Sequence, residues 1–227
     1  MDVSLIRLAI LPAVVLVWYI WRKDTVEKEP PALLAKLFGL GVLVTIPVIV
    51  VELAAGGMLG RFYAEGSLPY VFLENFCGVA LVEEAGKYLV LKSQTWKSEH
   101  FNYMFDGVVY AVLVSLGFAT LENIFYVAEG GVSTGIARAI LSVPGHAIDG
   151  VCMGYFYGLA KRADLKGNAN ARSTNLALAL VAPMLLHGTY DFLISIKLIG
   201  VFLIFEVIVT VLAIIHVNKF SREDAPL

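Results

Sequence analysis

The chain has 227 residues, 59% of them hydrophobic and only 16% charged, with a mean hydropathy of +0.78 and a net charge of −2. A soluble domain carries about 25% charged residues, so the composition excludes an ordinary water-soluble protein and points to an all-α, polytopic membrane helix bundle. Only two cysteines are present, Cys77 and Cys152, both within apolar runs, which excludes a disulfide scaffold, and no basic tail offers a site for nucleic acid.

Seven runs come near the roughly 20 apolar residues that a membrane helix needs. In chain order they are residues 5–21, 33–54, 70–91, 107–127, 135–160, 174–196 and 199–217. The first reads as a retained helix, not a signal peptide, because it is long and no small-x-small cleavage site stands out. No low-complexity tract or Ser/Gly linker divides the sequence, which reads as one domain over residues 1–227. Twelve of the 17 Lys and Arg fall in one alternating set of loops, with Lys161, Arg162, Lys166 and Arg172 in the most basic of them. Arg7, Arg61, Arg138 and Lys197 fall on the opposite side, and Lys87 lies within a span. The positive-inside rule then predicts seven transmembrane helices with the N-terminus outside and the C-terminus cytoplasmic.

The third to sixth runs are interrupted by ionisable groups. Glu83, Glu84 and Lys87 lie in "VALVEEAGKYLVLK", Glu122 and Asn123 in "GFATLENIFY", His146 and Asp149 in "SVPGHAIDG", and His187 and Asp191 in "APMLLHGTYDF". A charge at the bilayer centre costs about 2.5–3.5 kcal/mol on insertion scales, so such groups face one another or a wet cavity. Residues three or four apart share a helix face, which pairs Lys87 with both glutamates, His146 with Asp149, and His187 with Asp191. At about 1.5 Å per residue, Glu122 and Asp191 lie ~7 Å from the outer ends of their spans, the two histidines ~15 Å and Glu83 ~20 Å. Four helices therefore aim polar groups at one zone between the outer leaflet and the midplane, which favours a single site.

Other residues have blander readings. Asp106 reads as a helix N-cap, Cys77 and Cys152 as packing residues, and His100 and His216 as solvated groups at span edges. Glu52, Glu74 and Glu206 have no partner in the pattern, and Asp149 reads as a support for His146. Pro144 and Pro183 precede the two histidines and are expected to kink their helices. Gly150, Gly154 and Gly158 form a small-residue stripe suited to close helix packing.

Carboxylates and imidazoles in a membrane cavity suit water activation. A glutamate takes a proton from water and a histidine stabilises the developing oxyanion. A zinc site of Glu122, His146 and His187 is the other form of this chemistry. Glu83 and Glu84 supply a base without any ion, which favours the metal-free form. There is no H-E-x-x-H or G-x-S-x-G, and an aspartyl pair of Asp149 and Asp191 leaves the glutamates and histidines unexplained. The same cluster also suits a proton- or metal-coupled transporter, although no inverted repeat is evident. A scaffold that keeps a polar core for helix assembly is the remaining alternative.

The ordered set "EEAGK", "FATLE", "PGH" and "HGTYD" resembles the PrsW intramembrane protease family, which is related to the CAAX prenyl proteases. The resemblance runs from "KEPPALL" to "LLHGTYDF" and maps the family pattern onto Glu83, Glu84, Lys87, Phe118, Glu122, His146, His187 and Asp191; Asp149 lies outside it. It implies a bacterial plasma-membrane protease. Such an enzyme makes the first, extracytoplasmic-side cut in a single-pass, membrane-anchored anti-sigma factor. A second intramembrane protease then completes release of an extracytoplasmic-function sigma factor. The expected catalytic residues are Glu83, Glu84, Glu122, His146 and His187, supported by Lys87 and Asp191. The outer-leaflet depth, obtained from charge bias and spacing, agrees with an extracytoplasmic cut.

Overall fold

The computed structural model describes residues 2–227. Its elements are α1 (Val3–Lys23), α2 (Pro31–Leu59), a short α3 (Leu68–Leu73) that runs through a π-helical segment (Glu74–Ala80) into α4 (Leu81–Thr95), α5 (Asp106–Ile140), α6 (Ser142–Leu165), α7 (Ala169–Ser195) and α8 (Ile199–Arg222). No β-strand occurs among the described residues; Tyr103 and Pro226 form one isolated antiparallel bridge. The all-helical expectation therefore holds.

The count of spans does not transfer directly. Among the described residues, five segments are long and apolar enough to cross a membrane: α1, α2, the stretch Asp106–Leu165, α7 and α8. Asp106–Leu165 contains both α5 and α6, which meet at Leu141 with hardly a loop between them. The run expected at residues 70–91 is not among the five. It is divided between α3, the π-helical segment and α4, and Glu74, Glu83, Glu84 and Lys87 lower its hydropathy.

The first half of α5 is the axis of the bundle. Every residue from Asp106 to Thr120 is buried, as expected of a helix that is apolar all round. Helices α1, α2, α4 and α6 surround it. The glycine stripe of α6 lets that helix approach α5 closely. A Cβ on Gly150 would lie 2.9 Å from Val112 Cα, and one on Gly158 would lie 2.7 Å from the Met104 carbonyl oxygen.

Three local features aim the polar groups. The π-helical segment inserts a residue ahead of α4, and one residue turns a helix by about 100°. This sets which face of α4 presents Glu83, Glu84 and Lys87 to α6 and α7. Gly131 breaks α5 with φ 69° and ψ −154°, a left-handed conformation suited to glycine, so residues 132–140 fold back towards Glu122. Helix α6 starts at Ser142, which puts Pro144 in its first turn. A missing N–H is tolerated there, so Pro144 helps to begin a helix instead of kinking one, contrary to expectation. Pro183 does lie inside α7.

At one end of the bundle, Asp106 ties down a loop. Its Oδ2 accepts the N–H groups of Asn102 (3.0 Å) and Tyr103 (2.7 Å), so it holds the incoming chain and does not cap the helix ahead. Beside it, Tyr110 Oη donates to Glu29 Oε2 at 2.6 Å, and Phe105 N donates to Asp224 Oδ1 at 3.0 Å. The linker after α1 and the C-terminal tail are thus fastened to the start of α5.

Candidate functional site

At the centre of the site, α4 buries the Lys87 ammonium completely. Its Nζ donates to Glu83 Oε2 (3.0 Å) and Glu84 Oε1 (2.7 Å), lies 3.2 Å from His146 Nδ1, and sits 4.4 Å from the centroid of the Phe118 ring. Burying a lone ammonium would be prohibitive; two carboxylates one helical turn back make it tolerable. Phe118, one turn before Glu122 on α5, adds its ring face.

The two imidazoles are held alike. His146 Nε2 is 2.8 Å from Glu122 Oε2, and its Nδ1 faces the α4 cluster. His187 Nε2 is 3.3 Å from Asp191 Oδ2, and its Nδ1 is 3.0 Å from Glu84 Oε1. Each ring thus has its outer nitrogen on a carboxylate and its inner nitrogen turned to the centre. The rings meet edge to face with centroids 5.4 Å apart. Ser115 Oγ on α5 donates to the His146 carbonyl at 2.6 Å, which fixes α6 at this height.

One set of donors converges. Glu83, Glu84, His146 and His187 are all buried and offer ligand atoms within 4.8 Å of one another. This group differs from the expected zinc set of Glu122, His146 and His187. Glu122 is already engaged on its far side, where the same Oε2 that meets His146 also ion-pairs with Arg138 Nη2 at 2.8 Å. Glu122 is therefore placed to orient His146, and the two α4 glutamates stand where donors are needed.

The cluster opens on a cavity of about 710 Å³, walled in part by Glu83, Glu122, His146, Asp149, His187 and Asp191. Glu83 reaches the wall, whereas Glu84 is fully buried behind it. This is the outcome of the 100° step between neighbours on a helix. The cavity falls within the 300–1,000 Å³ range typical of ligand pockets.

All seven residues singled out from the sequence, Glu83, Glu84, Lys87, Glu122, His146, His187 and Asp191, come together here. Arg138 was missed, having been read as a loop charge. It is folded back by the break at Gly131, donates from Nε to Asn123 Oδ1 at 2.8 Å, and stacks 4.1 Å from the Tyr126 ring centroid. Its position as a lone cation within the apolar run 135–160 was the available signal. Asp149 belongs to the site as well, although its Oδ2 is 3.9 Å from His187 Nδ1 and not on His146. Glu52 and Glu206 stand on the cavity wall, and Glu52 Oε1 has no hydrogen-bond partner among the described residues. Glu74 accepts from Tyr70 Oη at 2.9 Å, away from the cavity. Cys77 is exposed, Cys152 is half-buried, and His216 bonds the Leu212 carbonyl on an exposed face.

Known proteins resemble the chain over most of its length. A family model described as PrsW family intramembrane metalloprotease matches residues 29–217. A relative named Protease PrsW from Geobacillus kaustophilus is 38% identical over 194 residues, covering 86% of this chain and 81% of its own. Proteins of the same name from Oceanobacillus iheyensis and Clostridioides difficile are 36% and 32% identical, over 85% and 98% of this chain and 83% and 92% of theirs. No solved structure matches the chain significantly. The buried Glu/His centre, the apolar helices around it and the matched length make the chain a membrane-embedded peptidase: it belongs to the PrsW family of intramembrane metalloproteases.

Proposed function

We propose that this peptidase makes the first cut in a single-pass, membrane-anchored anti-sigma factor, on its extracytoplasmic side, and that a second intramembrane protease acts on the product. The reading includes residence in a bacterial plasma membrane, with seven spans, the N-terminus outside and the C-terminus inside. In this reading Leu68–Thr95 forms the third span. What supports the reading is the charge bias of the loops, the resemblance to the family and, above all, one observation: a glutamate on the wall of a membrane cavity with two carboxylate-tethered histidines beside it. Nothing supports the transporter reading.

In this mechanism Glu83 takes a proton from a cavity water, which attacks the scissile carbonyl carbon. The carbonyl oxygen gains negative charge, and an imidazole N–H of His146 or His187 donates to it. Glu83 then returns the proton to the leaving amine as the C–N bond breaks. Lys87 and Glu84 hold Glu83 in its rotamer. Glu122 and Asp191 fix the orientation of their histidines.

The family is one of metalloproteases, which weighs against the metal-free chemistry favoured from the sequence. The donors present fit a divalent cation: two carboxylates and two imidazoles converge, and each imidazole is backed by a carboxylate in the way that metal-binding histidines are. Glu83, Glu84, His146 and His187 would hold it, and zinc is the ion that this donor set favours. Such an ion supplies Lewis acidity towards water and the carbonyl.

The test is cleavage of a single-pass substrate by purified protein in liposomes. Glu83→Gln should insert normally and lose nearly all cleavage, with Glu84→Gln affected as well. If both variants cleave at the wild-type rate, the assigned chemistry is wrong. Proton or metal flux without cleavage would restore the transporter.

A further inference from the structure

The point on which the four donors converge is filled by a side chain of the protein itself. Lys87 Nζ contacts three of the four donor residues, at 3.0 Å (Glu83 Oε2), 2.7 Å (Glu84 Oε1) and 3.2 Å (His146 Nδ1). The fourth, His187 Nδ1, shares the Glu84 oxygen that accepts from Lys87. Those separations are hydrogen-bond lengths suited to an ammonium. Zinc holds nitrogen and oxygen ligands at about 2.0–2.2 Å, so the cage as it stands is sized for Lys87. The two cations cannot share it. Both need Glu83 and Glu84, and a dication beside a buried ammonium meets strong repulsion in a medium of low dielectric.

Asp149 supplies the other half of the observation. It is 5% exposed, stands on the cavity wall one turn from His146, and makes no hydrogen bond among the described residues. It lies outside the family pattern, and the mechanism above leaves it idle. Yet its Oδ2 lies 3.9 Å from His187 Nδ1, which meets the same Glu84 oxygen as Lys87. A buried carboxylate without a donor, beside a lysine on a flexible stem, is a second seat for that ammonium.

We infer that Lys87 is a rival cation built into the site: its ammonium and a divalent metal ion exclude one another from the cage of Glu83, Glu84, His146 and His187, and Asp149 receives the ammonium when metal enters. The inference deepens the proteolytic reading and rests on the same donors. It makes metal occupancy reversible, with a lysine-filled state as its alternative. A lysine that only neutralises the glutamates would stay in place as metal binds, so its ammonium resonance would not move and Asp149→Asn would leave Co²⁺ binding unchanged.

The experiment uses the full chain in detergent with Co²⁺ as probe, followed by its visible absorption and displaced by Zn²⁺. Lys87→Met empties the cage at nearly constant volume and should bind Co²⁺ at least 10-fold more tightly than wild type. Asp149→Asn should weaken Co²⁺ binding at least 3-fold in the wild-type background and have no effect in Lys87→Met, because the second seat matters only while there is an ammonium to move. Wild-type protein carrying ¹⁵Nζ-lysine gives a readout that needs no substitution. One solvent-protected ammonium resonance should shift or vanish in step with binding of diamagnetic Zn²⁺, which decides the matter should Lys87→Met fail to fold. Three results would each overturn the inference. These are Co²⁺ binding by Lys87→Met no tighter than that of wild type, filling of wild type with Zn²⁺ while the protected resonance stays unmoved, and no Co²⁺ binding by any variant. Substrate cleavage by wild type, scored separately, is present if only the inference is wrong and absent if the proteolytic reading is wrong.

Discussion

Gly150→Ala tests whether helix packing sets the geometry of the site. The added Cβ would stand 2.9 Å from Val112 Cα and 3.2 Å from Ser115 Cβ, both on α5. Carbon atoms pack at about 3.5–4.0 Å, so α6 has to retreat from α5 by roughly 0.6–1.1 Å. His146 lies one turn away on α6, and its partner Glu122 lies on α5, 2.8 Å distant. The same retreat stretches that contact to about 3.4–3.9 Å, beyond a good hydrogen bond. Ser115 Oγ, which holds the His146 carbonyl at 2.6 Å, is strained in the same direction. Overpacking of this kind costs about 1–3 kcal/mol of stability, and a displacement near 1 Å at a catalytic group costs roughly 100-fold in rate. Cleavage should therefore fall about 10–100-fold, with a lower thermal midpoint in detergent. Gly39→Ala on α2 is the control, since a Cβ there meets nothing within 4 Å. Wild-type cleavage by Gly150→Ala, or an equal loss in Gly39→Ala, would refute the link between the glycine stripe and the site.

Further outcomes are expected. His187→Ala should nearly abolish cleavage, while Asp191→Asn, which only loosens the imidazole at its 3.3 Å contact, should reduce it about 10–100-fold; equal losses would contradict the supporting role of Asp191. Asp24, just past the end of α1, is 1% exposed with neither carboxylate oxygen hydrogen-bonded among the described residues, and burial pushes its pKa up to about 6 despite the pull of Lys28. A folded pKa above the unfolded value of about 3.9 means that the native state binds the extra proton, so this group's contribution to stability falls as pH rises from about 4 to 6. Asp24→Asn should accordingly raise the thermal midpoint at pH 8 and match wild type below pH 4; a pH-independent difference would discredit the buried carboxylate as the cause. In a background without Cys77 and Cys152, an impermeant thiol reagent applied outside should label Ser133→Cys and miss Lys166→Cys, and the reverse pattern would invert the proposed topology.

Much of the site is visible in the sequence, because ionisable residues inside apolar runs are conspicuous and expensive. Glu83, Glu84, Lys87, Glu122, His146, His187 and Asp191 stand out on that ground alone, and the helical repeat predicts that adjacent Glu83 and Glu84 face different ways, as they do. What each group does depends on phase and on distant partners, and these are not local properties. A single residue in the π-helical segment turns α4 by about 100°. The break at Gly131 brings Arg138 back onto Glu122, which turns an expected metal donor into the partner of His146. The start of α6 at Ser142 makes Pro144 harmless. Hydropathy and charge therefore determined that this chain is a helical membrane protein with a polar centre on four particular runs. Only tertiary packing decided that Lys87 fills that centre, that Glu83 and not Glu84 reaches the cavity, and that Glu122 stands behind His146, because those outcomes rest on where helices far apart in sequence meet, and at what rotation.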